Sequence, residues 1–167
     1  CLLFTNAKKN ILCEKPLAMN TKEVKEILAS AKKNNVFLME AVWTRFFPAS
    51  VEIRKLLAQG EMGEVKMVRA DFGVPLLHVP RAVQKDLGGG ALLDLGIYCL
   101  QFITMVFNGE KPEAIQASGV CLETGNKFIG WFYLITFEGE NTPDALQCVS
   151  AAKQYALLIG YVCDIYF

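Results

Sequence analysis

Three groups of residues have types and spacing suited to chemistry. The first lies along an apolar segment. From Leu92 to Val106 the chain is apolar almost throughout, and its polar exceptions are Asp94, Tyr98, Gln101 and Thr104. Steps of four, three and three residues put these on one face of a helix. A buried helix with one polar stripe either closes those groups into a hydrogen-bond network or presents them to a cavity. The second group is Glu14-Lys15-Pro16, at the end of the apolar run Ile11-Leu12-Cys13. Proline stops a strand. Lys15 is then either a surface lysine or a cation at the carboxyl end of a parallel strand, where α/β sheets bind ligands. An ammonium there steadies a negative charge or lowers the pKa of a nearby acid. The third group is Trp43, Arg45, Phe46, Phe47, Phe72, His78 and Arg81. Trp43 and Phe72 either wall an apolar pocket or fill a core. His78 is the one histidine of the chain. No multi-histidine centre can be built, and no metal is expected.

The elements that must hold these groups follow from periodicity. Residues 11–14 read as a buried strand and 36–42 as another. Between them Asn20 caps a helix, with Glu23 completing a capping box. Val24, Ile27, Leu28 and Ala31 recur at helical spacing, and Asn34-Asn35 closes the helix. Strand, helix, strand is the grammar of a parallel α/β unit. Pro48 then opens a helix with Ile53, Leu56 and Leu57 on one face and Gly60 at its stop. A strand is expected from Glu64 to about Phe72, a loop over 74–87, and a long apolar helix from Ala91 to Phe107 stopped by Asn108-Gly109. Strands are expected at 113–122 and 128–138. Gly88-Gly89-Gly90 lacks the G-x-G-x-x-G spacing and follows no first strand of a βαβ unit, so it is no dinucleotide fingerprint. The expected fold is α/β plus α+β. Residues 1–42 form the remnant of a Rossmann dinucleotide-binding domain. Residues 43–138 form an incomplete α+β substrate and dimerisation domain with a mostly antiparallel open sheet, and 139–167 a divergent apolar tail.

Composition bounds the partners. Hydrophobic residues make up 53% and charged residues 20%, as in soluble globular domains. Lys+Arg and Asp+Glu are both 17, with no basic stripe, so no nucleic acid is expected. The apolar run Tyr155–Cys163 falls short of the ~20 residues that span a bilayer, so no membrane is expected either. The six cysteines include no CxxC pair and read as reduced, buried small hydrophobes of a cytoplasmic protein. The opening Cys1-Leu2-Leu3-Phe4 reads as the tail of a helix that begins upstream, so the chain is expected to be a partial one.

Taken in order, Glu14-Lys15-Pro16, Glu40-Ala41-Val42-Trp43-Thr44-Arg45-Phe46-Phe47-Pro48 and Gly88-Gly89-Gly90-Ala91-Leu92-Leu93-Asp94-Leu95-Gly96-Ile97-Tyr98 resemble the glucose-fructose oxidoreductase / inositol dehydrogenase (Gfo/Idh/MocA) family. The resemblance covers about residues 8 to 125. It implies hydride transfer between NADP, with NAD left open, and a CH–OH group of a trans-dihydrodiol or pentose sugar. Tyr98 would be the general acid/base, Lys15 its cationic neighbour, and Asp94 a third catalytic group that also binds the substrate hydroxyl. A phenol is a weak base at neutral pH, and an adjacent ammonium makes its anion easier to form. Glu14, Lys15, Pro16 and Arg45 would contact the cofactor; Trp43, Phe72 and His78 would contact the substrate. A homodimer is implied for the full-length form. The alternative is a catalytically inactive substrate-domain or dimerisation module.

Overall fold

The computed structural model describes residues 1–65, 67–74, 76, 78–112, 114–121, 127–135, 146–151 and 162–166, with the backbone alone at residue 116 and from residue 118 onward. The chain divides into two compact units, Cys1–Trp43 and Thr44–Phe167.

The first unit holds α1 (Leu2–Asn6), β1 (Ile11–Glu14), α2 (Thr21–Asn34) and β2 (Leu38–Ala41). The strands pair in parallel, with Cys13 opposite Glu40 and Glu14 opposite Ala41. Asn20 caps α2 through Oδ1, which accepts the Glu23 N–H at 3.0 Å. The Glu23 carboxylate reaches back to the Met19 N–H at 3.1 Å, one residue before the expected capping-box partner. Asn35 ends the helix with φ 51°. Ile27 and Ala31 are buried, whereas Leu28 of the same apolar row is exposed. Thr5 is fully buried; its hydroxyl shares a 2.6 Å hydrogen bond with Ser30 and so ties α1 to α2. Strands of parallel sheets are normally covered on both faces. Here Leu12 is 67% exposed, and Leu3, Phe4 and Phe37 are exposed with it.

A 3-10 turn, Trp43–Phe46, leads into the second unit. It is followed by α3 (Pro48–Gln59), β3 (Met67–Asp71), α4 (Pro80–Val83), a 3-10 turn Lys85–Leu87, a π-helical turn Leu92–Gly96 and α5 (Ile97–Val106). Pro48 occupies the first turn of α3 and Gly60 closes it with φ 71°, as the spacing predicts. The expected loop over 74–87 contains α4, which starts at Pro80, where the missing N–H costs nothing. Strands β4 (Ala114–Cys121), β5 (Lys127–Ile135), β6 (Leu146–Ala151) and β7 (Val162–Tyr166) complete a sheet of order β4-β5-β6-β3-β7. Its pairs are antiparallel except β3 with β6. The expected tail 139–167 therefore contributes two strands, β6 and β7, both hydrogen-bonded to β3. Most of the run Tyr155–Cys163 lies outside the described residues. The core of this unit is Val68 and Ala70 of β3 packed against Cys99, Ile103 and Val106 of α5. The Lys85–Val106 stretch is long and apolar enough to cross a membrane. It is broken by turns, and α5 buries Tyr98, Cys99, Ile103, Met105 and Val106, as a core helix does.

Candidate active site

In the first unit, Glu14 ends β1 and Lys15-Pro16-Leu17 bends away, with the Lys15–Pro16 peptide cis. Lys15 and Pro16 are half-buried. The bend is held from β2: the Glu40 carboxylate accepts the Leu17 N–H at 2.8 Å through Oε1. Hydrogen bonds to a charged group contribute about 1.5–3 kcal/mol. Glu40 thus positions the backbone that carries Lys15, a role the sequence reading missed. The available signal was a carboxylate set in an otherwise apolar strand. Trp43, at the end of this unit, is 48% exposed.

In the second unit, Tyr98 is 8% exposed. Its ring meets Phe72 edge-to-face, with centroids 5.6 Å apart and planes at 87°. Such a pair contributes about 0.5–1.5 kcal/mol beyond the area it buries. Phe72 follows β3 directly, so the strand that forms the core also fixes the tyrosine. Asp94 lies on the π-helical turn just before α5. Its Oδ2 accepts from Arg81 Nη1 at 3.0 Å, across from α4. Asp94 is nearly buried and Arg81 largely exposed, so the cation covers the open side of the carboxylate.

The expected polar stripe begins on a π-helical turn, and residues four apart still share a face at that pitch, so Asp94 and Tyr98 lie on one side of the segment. Gln101 Oε1 accepts from Thr44 Oγ1 at 3.2 Å. Thr104 is exposed and donates to carbonyls of its own helix, Leu100 at 2.9 Å and Gln101 at 3.0 Å. Gln101 and Thr104 thus bond to Thr44 and to their own helix backbone respectively. Gln101 Nε2 is buried with no hydrogen-bond partner among the described residues. Arg45 lines a cleft of about 760 Å³ with Arg54, Leu57 and Thr104, and neither Tyr98 nor Asp94 borders it. His78 is exposed in the turn before α4.

The structure thus brings Tyr98 to Phe72, and Asp94 to Arg81. Lys15 shares a bend with Glu14 and Pro16 in the other unit. The glycine turn that precedes Asp94 is tightly folded. The Gly89 N–H bonds the Gln84 carbonyl at 3.0 Å and the Gly90 N–H the Ala82 carbonyl at 3.1 Å.

Comparison with known proteins assigns the class. Residues 50–149 match the GFO/IDH/MocA C-terminal domain, and residues 1–42 match the oxidoreductase family NAD-binding Rossmann fold. The chain belongs to the Gfo/Idh/MocA oxidoreductase family. The match to residue 149 runs past Gly125, where the sequence resemblance had faded.

Among curated relatives, the chain is 74% identical over 124 residues to trans-1,2-dihydrobenzene-1,2-diol dehydrogenase of Danio rerio, covering 74% of this chain and 37% of that protein. The enzyme of that name from Homo sapiens is 55% identical over 124 residues, with the same coverage. The chain spans about a third of the length of these relatives. The crystal structure of aldose-aldose oxidoreductase from Caulobacter crescentus, complexed with glycerol, superposes with a TM-score of 0.76 at 27% identity, over 90% of this chain and 44% of that one.

Proposed function

We propose that this chain is the catalytic-side portion of an NADP-dependent dehydrogenase acting on the CH–OH group of a trans-dihydrodiol or a pentose sugar. The observation that carries the reading is the buried Tyr98 phenol, clamped by Phe72 next to a π turn that bears Asp94. π turns recur at functional sites. The high identity to the dihydrodiol dehydrogenases supports the substrate class, and the sugar oxidoreductase among the structural neighbours supports the polyol character.

Residues 1–42 fit the nicotinamide end of a dinucleotide. They supply a parallel strand pair with Lys15 at the carboxyl end of one strand, where such sheets bind ligands. They contain no glycine, so they supply no turn for the pyrophosphate. A nicotinamide held beside Lys15 would supply the hydride acceptor. Tyr98 takes the hydroxyl proton at its phenolic oxygen. The Lys15 ammonium steadies the resulting negative charge. Asp94, with Arg81 across it, binds a substrate hydroxyl. Trp43, Phe72 and His78 bound the substrate, and Glu14, Pro16 and Arg45 contact the cofactor.

In the protein that carries this chain, Tyr98→Phe should abolish NADP-dependent oxidation of a trans-dihydrodiol or D-xylose, followed at 340 nm. NADPH binding, followed by tryptophan fluorescence, should change less than about twofold. Retained turnover rejects the proton-transfer role.

The same reading makes the protein a cytoplasmic homodimer. The exposed Ile115 and Ala117 on one face of the edge strand β4 support assembly through the second unit's sheet. A second reading, a non-catalytic module that docks on a partner, is favoured by the exposed Leu3, Phe4, Leu12 and Phe37 of the first unit. Absence of any NADPH-induced quenching would leave that one standing.

A further inference from the structure

Cysteines twelve residues apart in sequence with no CxxC spacing gave no reason to expect a pair. The fold nevertheless brings two of them together. Cys1 precedes the first turn of α1 and Cys13 is the third residue of β1, and their Sγ atoms lie 3.3 Å apart. Both are free thiols and both are partly exposed, whereas Cys99 is buried. Cys1 also borders an open cavity of about 560 Å³, together with Pro16, Leu17 and Glu26. A disulfide needs an S–S separation of about 2.05 Å. Closing the gap requires about 1.3 Å of movement, between a short helix and the end of a strand.

We propose that Cys1 and Cys13 form a redox-active dithiol, a site of two-electron oxidation by a hydroperoxide. The Cys1 thiolate attacks one peroxide oxygen. The O–O bond breaks, hydroxide leaves and takes a proton as water, and Cys1 becomes a sulfenic acid. The Cys13 thiolate then attacks that sulfur. The S–O bond breaks, a second water leaves, and the Sγ–Sγ bond forms. Two thiols and one hydrogen peroxide become one disulfide and two waters. Cys99 is buried and lacks that access. The product clamps the start of α1 to the strand that delivers Lys15 two residues later. Reduction by a thiol such as glutathione restores the pair. The proposal rests on sulfur geometry alone and stands or falls separately from the dehydrogenase reading.

The test is a thiol map of the full 167-residue chain. The folded chain is treated with hydrogen peroxide, blocked with N-ethylmaleimide and digested with trypsin without reductant. Trypsin leaves the Lys15–Pro16 bond intact. The expected product is therefore the Cys1–Lys8 peptide joined to the Asn10–Lys22 peptide, two hydrogens lighter than the sum. Because the fold pre-pays the approach of the two sulfurs, this product should form at least about tenfold faster than in urea. In Cys13→Ser the oxidised Cys1 should instead persist and be trapped by dimedone. A cross-link no faster than in urea, or maleimide on both cysteines while other thiols have oxidised, overturns the proposal.

Discussion

Replacing Gly89 by alanine probes the turn that precedes the candidate site. A Cβ at residue 89 would lie 2.8 Å from the Gln84 carbonyl oxygen and 2.9 Å from the carbonyl carbon and oxygen of Ala82. All three are backbone atoms, so no side-chain rotation relieves the contact. The same two carbonyls accept the N–H groups of Gly89 and Gly90. Moving the turn away therefore stretches both hydrogen bonds. Overpacking costs about 1–3 kcal/mol, and each weakened bond about 0.5–1.5 kcal/mol. The alanine recovers about 0.4–1 kcal/mol by restricting the unfolded chain. The net loss should be about 1–6 kcal/mol, centred near 3 kcal/mol, which at that centre is roughly 9–15 °C in Tm for a unit of this size. Gly60 is the control. It has φ 71° and nothing within 4 Å of a built Cβ, so Gly60→Ala meets only left-handed strain of about 1 kcal/mol. Urea unfolding followed by circular dichroism measures both. If Gly89→Ala costs no more than Gly60→Ala, the close approach is not what holds this turn, and the link from the triple glycine to Asp94 fails.

Two further outcomes follow from the packing. Glu40→Gln keeps an oxygen facing the Leu17 N–H but removes the charge, which should cost about 1.4 kcal/mol locally and speed exchange of the Leu17 amide by about tenfold. No change in that rate would remove Glu40 from its positioning role. Ile103→Ala, at a side chain only 1% exposed between α5 and β3, should cost about 2–5 kcal/mol in urea unfolding; a loss below 1 kcal/mol would mean the α5–β3 core is wrongly described.

What the sequence made legible was local. Asn20, Asn35, Gly60 and Asn108-Gly109 mark helix ends because caps and left-handed stops depend on single residue types. The parallel strand-helix-strand order could be read from apolar runs. The π turn could not, because the apolar pattern of Leu92–Val106 reads the same at either helical pitch. The helix within 74–87 was hidden by its length, four residues around Pro80, too short to show a period. Glu40 and Leu17, Cys1 and Cys13, and Thr44 and Gln101 meet through tertiary approach, which no spacing rule encodes. Of the third group, Phe72 meets Tyr98, and Arg45 lines a cleft that Tyr98 does not border.

The proposed function has the Lys15 amine and the Tyr98 phenol act together on the substrate hydroxyl. A double-mutant cycle in kcat/KM tests it most directly, with Lys15→Met, Tyr98→Phe and the double variant in the protein that carries this chain. Groups that act together lose their effect together. The account predicts that all three variants fall to about the same residual rate, with NADPH still bound by the Tyr98→Phe form. Losses that multiply, so that the double variant falls by the product of the single effects, would contradict it.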